Sequence, residues 1–156
     1  MSSSLNNKLN ALGESLPEVS SPAANYIPYV LENGFLSISG QLPFINGKTM
    51  HVGKLGHDID IEEGVKAARA CALNILAQMN KAVDGDIERV KRCLKLGGYV
   101  NSTAEFTQHP AVINGASDLI GEVLGPAGQH SRFAVGVSSL PFGVAVEIDA
   151  QFLIRT

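Results

Sequence analysis

The stretch from Asp60 to Val83 limits the fold more than any other. Apolar residues fall at Val65, Ala68, Ala72, Ile75, Leu76 and Met79, which is one face of a helix. Asp60 suits the N-cap, Glu63 occupies the capping-box position three residues on, and Asp84-Gly85 ends the run. A second helical stripe, Ile113, Ala116, Leu119, Ile120 and Val123, starts near Pro110 and stops at "GPAGQHS". Between the two stripes the period changes. From Val90 to Val100 the chain alternates, with Val90, Leu94, Leu96 and Val100 on one face and Arg92 and Gly98 as exceptions. Helices so interleaved with strands exclude a sandwich. The predicted order is ββαβαββ after a short extension, an α/β (α+β) chain with two helices on one face of a four- to six-stranded mixed sheet.

The flanks fit this order. Leu5, Leu9 and Leu12 are spaced for a short helix over 3–14, and "PEVSSPAAN" reads as a linker. We therefore divide the chain into an extension, 1–20, and one domain, 21–156. A strand is predicted over 34–43, then a hairpin turn at Asn46-Gly47 within 44–52. "NGKT" at 46–49 resembles the end of a phosphate loop, but position 42 is Leu and no helix follows, so a turn is the reading.

Composition narrows the function classes. The chain has 156 residues, 45% of them apolar, enough for a real core. A net charge of −3 gives no basic footprint for nucleic acid. No stretch is long enough to span a membrane, and the N-terminus lacks the pattern of a signal peptide. Cys71 and Cys93 have no metal-type spacing, so a reducing, cytoplasmic setting is expected. Cys71 reads as a small core residue, and Cys93 as a strand residue that can face a neighbouring subunit. In that setting the sequon Asn101-Ser102-Thr103 goes unused. His51 and His57 share a loop without an obvious third ligand, so no metal is expected. His130 either faces a cleft or lies in a surface loop. No Ser-His-Asp or Cys-His arrangement is arguable from this sequence.

The C-terminal stretch "RFAVGVSSLPFGVAVEIDAQF" (132–152) alternates on both sides of Leu140–Gly143 and reads as a hairpin. In that register Gly136 opposes Glu147. Phe133, Val135 and Val137 share the core face with Val144, Val146, Ile148, Ala150 and Phe152. Arg132, Ala134, Gly136, Glu147 and Asp149 share the other face, with Arg132 and Glu147 roughly 13 Å apart at strand rise. Few long solubilising side chains lie there, as on a face that meets another subunit.

"SISGQLP" (37–43), "RFAVGVSSLPFGVAVEIDA" (132–150) and the element order resemble the Rid family, also called YjgF or endoribonuclease L-PSP-like, over roughly residues 20 to 156. The resemblance implies a chorismate-mutase-like fold and a homotrimer with clefts between subunits. For deaminating members it implies hydrolysis of 2-imino acids to 2-keto acids and ammonia, without a cofactor. The family's ligand-binding arginine falls on Arg132, its acidic residue on Glu147, its cleft serine and glycine on Ser39 and Gly40. A tyrosine falls on Tyr26, with Tyr29 as rival, and a helix asparagine on Asn114. The cysteine that many members carry two residues after the arginine is Ala134 here. The N-terminal extension and "FINGKTMHVGKLGHD" suggest a divergent subgroup.

These residues suit that chemistry. A guanidinium grips a carboxylate with two parallel hydrogen bonds, and a protonated imine beside it needs no metal to be attacked by water. The expected role of Glu147 is to orient or deprotonate that water and to shuttle a proton to the leaving nitrogen, provided that register or the arginine side chain brings the groups together across the roughly 13 Å. Tyr26 of a neighbouring subunit closes the cleft. Two other readings stand beside the deaminase: a non-catalytic trimer that binds small carboxylates through Arg132, and the ribonuclease of older family descriptions. Acidic charge and few aromatics argue against the last. The expected partners are a small imino or keto acid and further copies of the chain, with no nucleic acid and no membrane.

Overall fold

The computed structural model describes residues 4–19, 21–22 and 24–156. Ser3 of the predicted first helix, the boundary residue Ser20 and Ala23 of the linker lie outside the described residues.

Helix α1 (Leu5–Ala11) precedes strands β1 (Tyr29–Glu32) and β2 (Phe35–Gln41) and a two-stranded ribbon, β3 (Phe44–Ile45) with β4 (Lys48–Thr49). Helix α2 (Ile61–Ala82), strand β5 (Val90–Asn101), helix α3 (His109–Leu124) and strands β6 (Ser131–Val137) and β7 (Val146–Ile154) complete the chain. Strands β1-β2-β7-β5-β6 form one sheet in that order. β6 runs parallel to β5 and every other neighbour is antiparallel. Helices α2 and α3 pack on one face of this mixed sheet. Among the described residues no helix covers the other face, called here the open face, and none is long and apolar enough to cross a membrane.

Local chemistry sets the boundaries. The Asp60 carboxylate accepts from the Glu63 amide at 2.8 Å and starts α2. Asp84 and Gly85 take left-handed backbone, φ 55° and 80°, and the Gly85 amide returns to the Asn80 carbonyl to stop it. Pro110 sits in the first turn of α3. The Asn46-Gly47 turn closes β3 on β4 as expected, with both residues at positive φ.

Four expectations change. First, β1 was not foreseen. Asn33-Gly34, at φ 51° and 81°, makes a second tight hairpin, from β1 to β2. Leu5 and Leu9 are buried in the common core, whereas Leu12 caps α1 and is 38% exposed.

Second, β5 carries two irregularities, between Val90 and Arg92 and between Cys93 and Lys95. Each adds a residue and shifts the inward set. Cys93 takes the core place expected of Leu94 and is fully buried, not turned to a neighbouring subunit.

Third, 132–152 is not a hairpin. β6 and β7 both pair with β5, which lies between them. Alternation reports which face a strand buries, not which strand it pairs with. Leu140–Gly143 is a crossing segment that contains a 3₁₀ turn, Pro141–Gly143.

Fourth, the faces of β6 are inverted. Val146, Ile148, Ala150 and Phe152 of β7 are buried under the helices as expected. On β6, however, Arg132 and Ala134 face the helices, paired with Leu96 and Gly98, while Phe133 and Val135 stand on the open face. An edge strand that is apolar on both sides gives no sequence rule for choosing between them. Arg132 and Glu147 therefore lie on opposite faces of the sheet.

Candidate functional site

The site residues assemble into two groups within one chain. The first lies between α3 and the edge strand β6. Arg132 Nη1 donates to Ser117 Oγ at 3.0 Å, and Nη2 donates to the Pro110 carbonyl at 3.2 Å. Both acceptors are neutral. Among the described residues no carboxylate pairs with this guanidinium. It lines a cavity of about 370 Å³ together with Asn114, Ser117 and His130. Ala134, the next residue on the same side of β6, is partly buried and packs on the core.

The second group gathers where β2 bulges. The pairing of β2 with β7 breaks between Ile38 and Gln41, which leaves Ser39 and Gly40 unpaired with β7. Ser39 Oγ donates to the Ile27 carbonyl at 2.9 Å and ties the bulge to the segment before β1. Tyr26, Ser39, Gly40, Gln41 and Phe142 line a cavity of about 340 Å³. Tyr29 packs against the core instead. Glu147 lies directly against Gly40, where a Cβ would run into its Oε1. Only glycine leaves that carboxylate its place. Glu147 is half-buried on the open face, opposite Tyr99. Burial raises its pKa above the ordinary 4.5, and the neighbouring Asp149 adds to the rise. Asp149 is itself raised, chiefly by burial, against the Gly97 amide and Lys95, which lower it.

The structure thus brings Tyr26, Ser39, Gly40 and Glu147 together on one side, and Arg132, Asn114 and Ala134 together on another. The two cavities share no lining residue.

Several contributors were not legible in the sequence. Phe142, 67% exposed and at φ 58°, borders the second cavity from the crossing segment. Among the described residues two Ser–His pairs form: Ser117 with His130 at 2.9 Å, and Ser102 with His109 at 3.3 Å. The second borders a further cavity of about 630 Å³ near Lys54 and Gly136, where a Cβ on Gly136 would strike both partners. Neither imidazole has a carboxylate behind it among the described residues, so neither pair extends to a triad. His130, in the loop before β6, lines the same cavity as Arg132. Asn101 of the sequon is 5% exposed and bonded to Lys54, Gly53 and Val144, so it is not placed to carry a glycan. His51 meets Glu63 at 3.5 Å.

Residues 6–148 match the family described as "YjgF/chorismate mutase-like, putative endoribonuclease", and the chain belongs to that family. Protein TCP17 of Trypanosoma cruzi is 50% identical over 143 residues, covering 91% of this chain and 89% of that protein. The crystal structure of Atu1372 from Agrobacterium tumefaciens, a protein of unknown function, is 45% identical with a TM-score of 0.91, covering 97% of this chain and 92% of that one. A more distant structure, E. coli TdcF with bound serine, shares the fold at 20% identity and a TM-score of 0.63, covering 88% and 94%.

Proposed function

We infer that this chain forms a cytoplasmic homotrimer that hydrolyses 2-imino acids to 2-keto acids and ammonia, in clefts between subunits and without a cofactor. One observation carries the reading. Arg132 is a guanidinium with no acidic partner among the described residues, held at the wall of a cavity by two neutral acceptors. Such a group suits a small carboxylate held by parallel hydrogen bonds. The serine bound by TdcF carries its carboxylate and its nitrogen on one carbon, as a 2-imino acid does.

The division of the site supports assembly. Tyr26, Ser39, Gly40 and Glu147 of one subunit complement Arg132, Asn114 and Ala134 of the next. Arg132 anchors the carboxylate, and Asn114 lies beside it on α3. Glu147 takes a proton from water as the oxygen attacks the imine carbon. Glu147 then gives this proton to the carbinolamine nitrogen; as the C–N bond breaks and ammonia leaves, the hydroxyl proton passes to Glu147, the keto C=O forms, and the released ammonia carries that proton away as ammonium. Ser39 and Gly40 shape the floor, Tyr26 closes the cleft, and Ala134 presents a methyl group where a thiol takes no part.

The test is turnover of 2-iminopropionate and 2-iminobutyrate, generated in situ by an amino-acid oxidase and read as the fall in semicarbazone. Two charge-assisted hydrogen bonds are together worth about 3 kcal/mol or more, so Arg132→Ala should lose about a hundredfold in kcat/KM. Full activity in Arg132→Ala would remove the assignment. Binding of pyruvate to wild type without turnover would leave the carboxylate-binding reading. RNA cleavage by wild type that survives Arg132→Ala would favour the ribonuclease.

A further inference from the structure

The hydrogen bonds behind Arg132 have one direction, fixed by the chemistry of each group. His130 Nδ1 lies 2.6 Å from the Gly128 carbonyl oxygen. A carbonyl only accepts, so this nitrogen carries a proton. In the neutral ring Nε2 is then an acceptor, and it lies 2.9 Å from Ser117 Oγ. The single hydroxyl proton of Ser117 therefore goes to His130. What Ser117 has left are lone pairs, and Arg132 Nη1 donates to them at 3.0 Å. A guanidinium has no acceptor, so this is the one arrangement of the neutral ring that satisfies all three groups.

The second tie, from Nη2 to the Pro110 carbonyl, comes from the first turn of the same helix. Ser117 is seven residues further along, two turns away and on the same side. The guanidinium is thus clamped at two points on one rigid element. Among the described residues, three of its five N–H donors have no partner. Ser117, His130 and Arg132 all line the same cavity, so the clamp forms part of its wall.

We propose that Ser117, oriented by His130, is a positioning residue that fixes the rotation of the Arg132 guanidinium and so presents its free donors to a carboxylate. The proposal rests on the reading of Arg132 as a carboxylate anchor. An arginine on a flexible stem must be ordered when ligand arrives, whereas one already clamped loses little freedom on binding. The effect therefore belongs in ligand affinity, not in the chemical step.

The experiment compares wild type, Ser117→Ala and Ser117→Thr. Thr keeps the hydroxyl. The first readout is the ¹⁵N–¹H spectrum of the Arg132 guanidinium, which needs neither ligand nor turnover. Wild type and Ser117→Thr should show separate Nη1 and Nη2 resonances, and Ser117→Ala one averaged signal. His130 Nδ1, not Nε2, should carry the proton. The second readout is affinity, as KM for 2-iminopropionate and as Kd for pyruvate. Both should rise about tenfold in Ser117→Ala, with kcat within twofold of wild type, and both should recover in Ser117→Thr. Averaged resonances in wild type, unchanged resonances in Ser117→Ala, or an unchanged Kd for pyruvate would overturn the proposal. Failure of the deaminase reading looks different: wild type would show no imine turnover while the resonances and the pyruvate affinity still follow Ser117.

Discussion

Glu147 shows how one residue's surroundings set its chemistry. Its carboxylate rests on Gly40 and is half removed from water. Burial and Asp149 both disfavour the charged form and lift its pKa above 4.5. A general base works only when ionised. The acid limb of the pH–rate profile should therefore lie above 4.5, with activity falling as pH drops through the raised value. Glu147→Gln should remove that limb and about 10²–10⁴ in rate. The stability sign follows from the same shift. The fold favours the protonated acid, so its contribution is fully present below 4.5 and lost as pH rises through the folded value. Glu147→Gln should accordingly melt above wild type at pH 7 and match it at pH 4, as differential scanning calorimetry would show. Arg132 and Glu147 were both legible in the sequence because alternation and the motif around them are local. Their relative placement was not, since they lie on different strands and different faces. Ser117 was illegible for the same reason. Its role depends on the rotation of α3 against β6, which spacing along the chain does not report.

At the scale of elements, the helices were read with little error and the strand pairings with more. A helix closes its hydrogen bonds within itself, so a cap, a stripe and a Gly stop define it. A strand needs a partner from elsewhere. Hence the Asn46-Gly47 turn is enough to define the β3–β4 hairpin, whereas the alternation of 132–152 suggests a hairpin that the sheet does not contain. The missed β1–β2 hairpin had the same Asn-Gly signal, at Asn33-Gly34. The bulges in β5 turned Cys93 inward and left its thiol with a pKa pushed up to about 12 by burial. Helix packing has its own control point. Gly115 of α3 sits against the backbone oxygen of Val65 on α2, with no room for a Cβ. Gly115→Ala would gain about 1 kcal/mol of helix propensity. Forcing the helices apart should cost more, about 1–3 kcal/mol beyond that gain. We expect the midpoint of thermal unfolding to fall by several degrees, measured by circular dichroism, with helix content unchanged.

For the whole molecule, the open face poses the question. It carries Val30, Phe35 and Val135, which are 50%, 41% and 43% exposed, beside Glu147 and Asp149, both raised by burial. Phe133 joins Tyr99 edge-to-face at 5.3 Å, and the Lys95 ammonium lies 5.4 Å from its ring centre. On the proposed reading this face meets other copies, and the divided site becomes whole. Light scattering should then give a mass near three times 16.5 kDa. Val135→Lys alters a half-exposed side chain of the single chain, so it should fold, run as a smaller species and lose turnover. A monomeric wild type with full activity would end the inter-subunit reading.

Readable along the chain were helices α2 and α3, the alternation of strands with helices after residue 60, the mixed α/β layering and the residues of the family motif, but not strand β1. Those depend on contacts a few positions apart: a cap bonding to its own third residue, a stripe repeating every turn, a turn whose backbone two residues dictate. The tertiary structure alone decided that β5 separates β6 from β7, that Arg132 turns toward α3 and Glu147 away from it, and that Ser117 and His130 stand behind the arginine. Those depend on which surfaces remain to be paired once the local elements exist. That choice is made by burial summed over the whole sheet, and no short stretch of the chain encodes it.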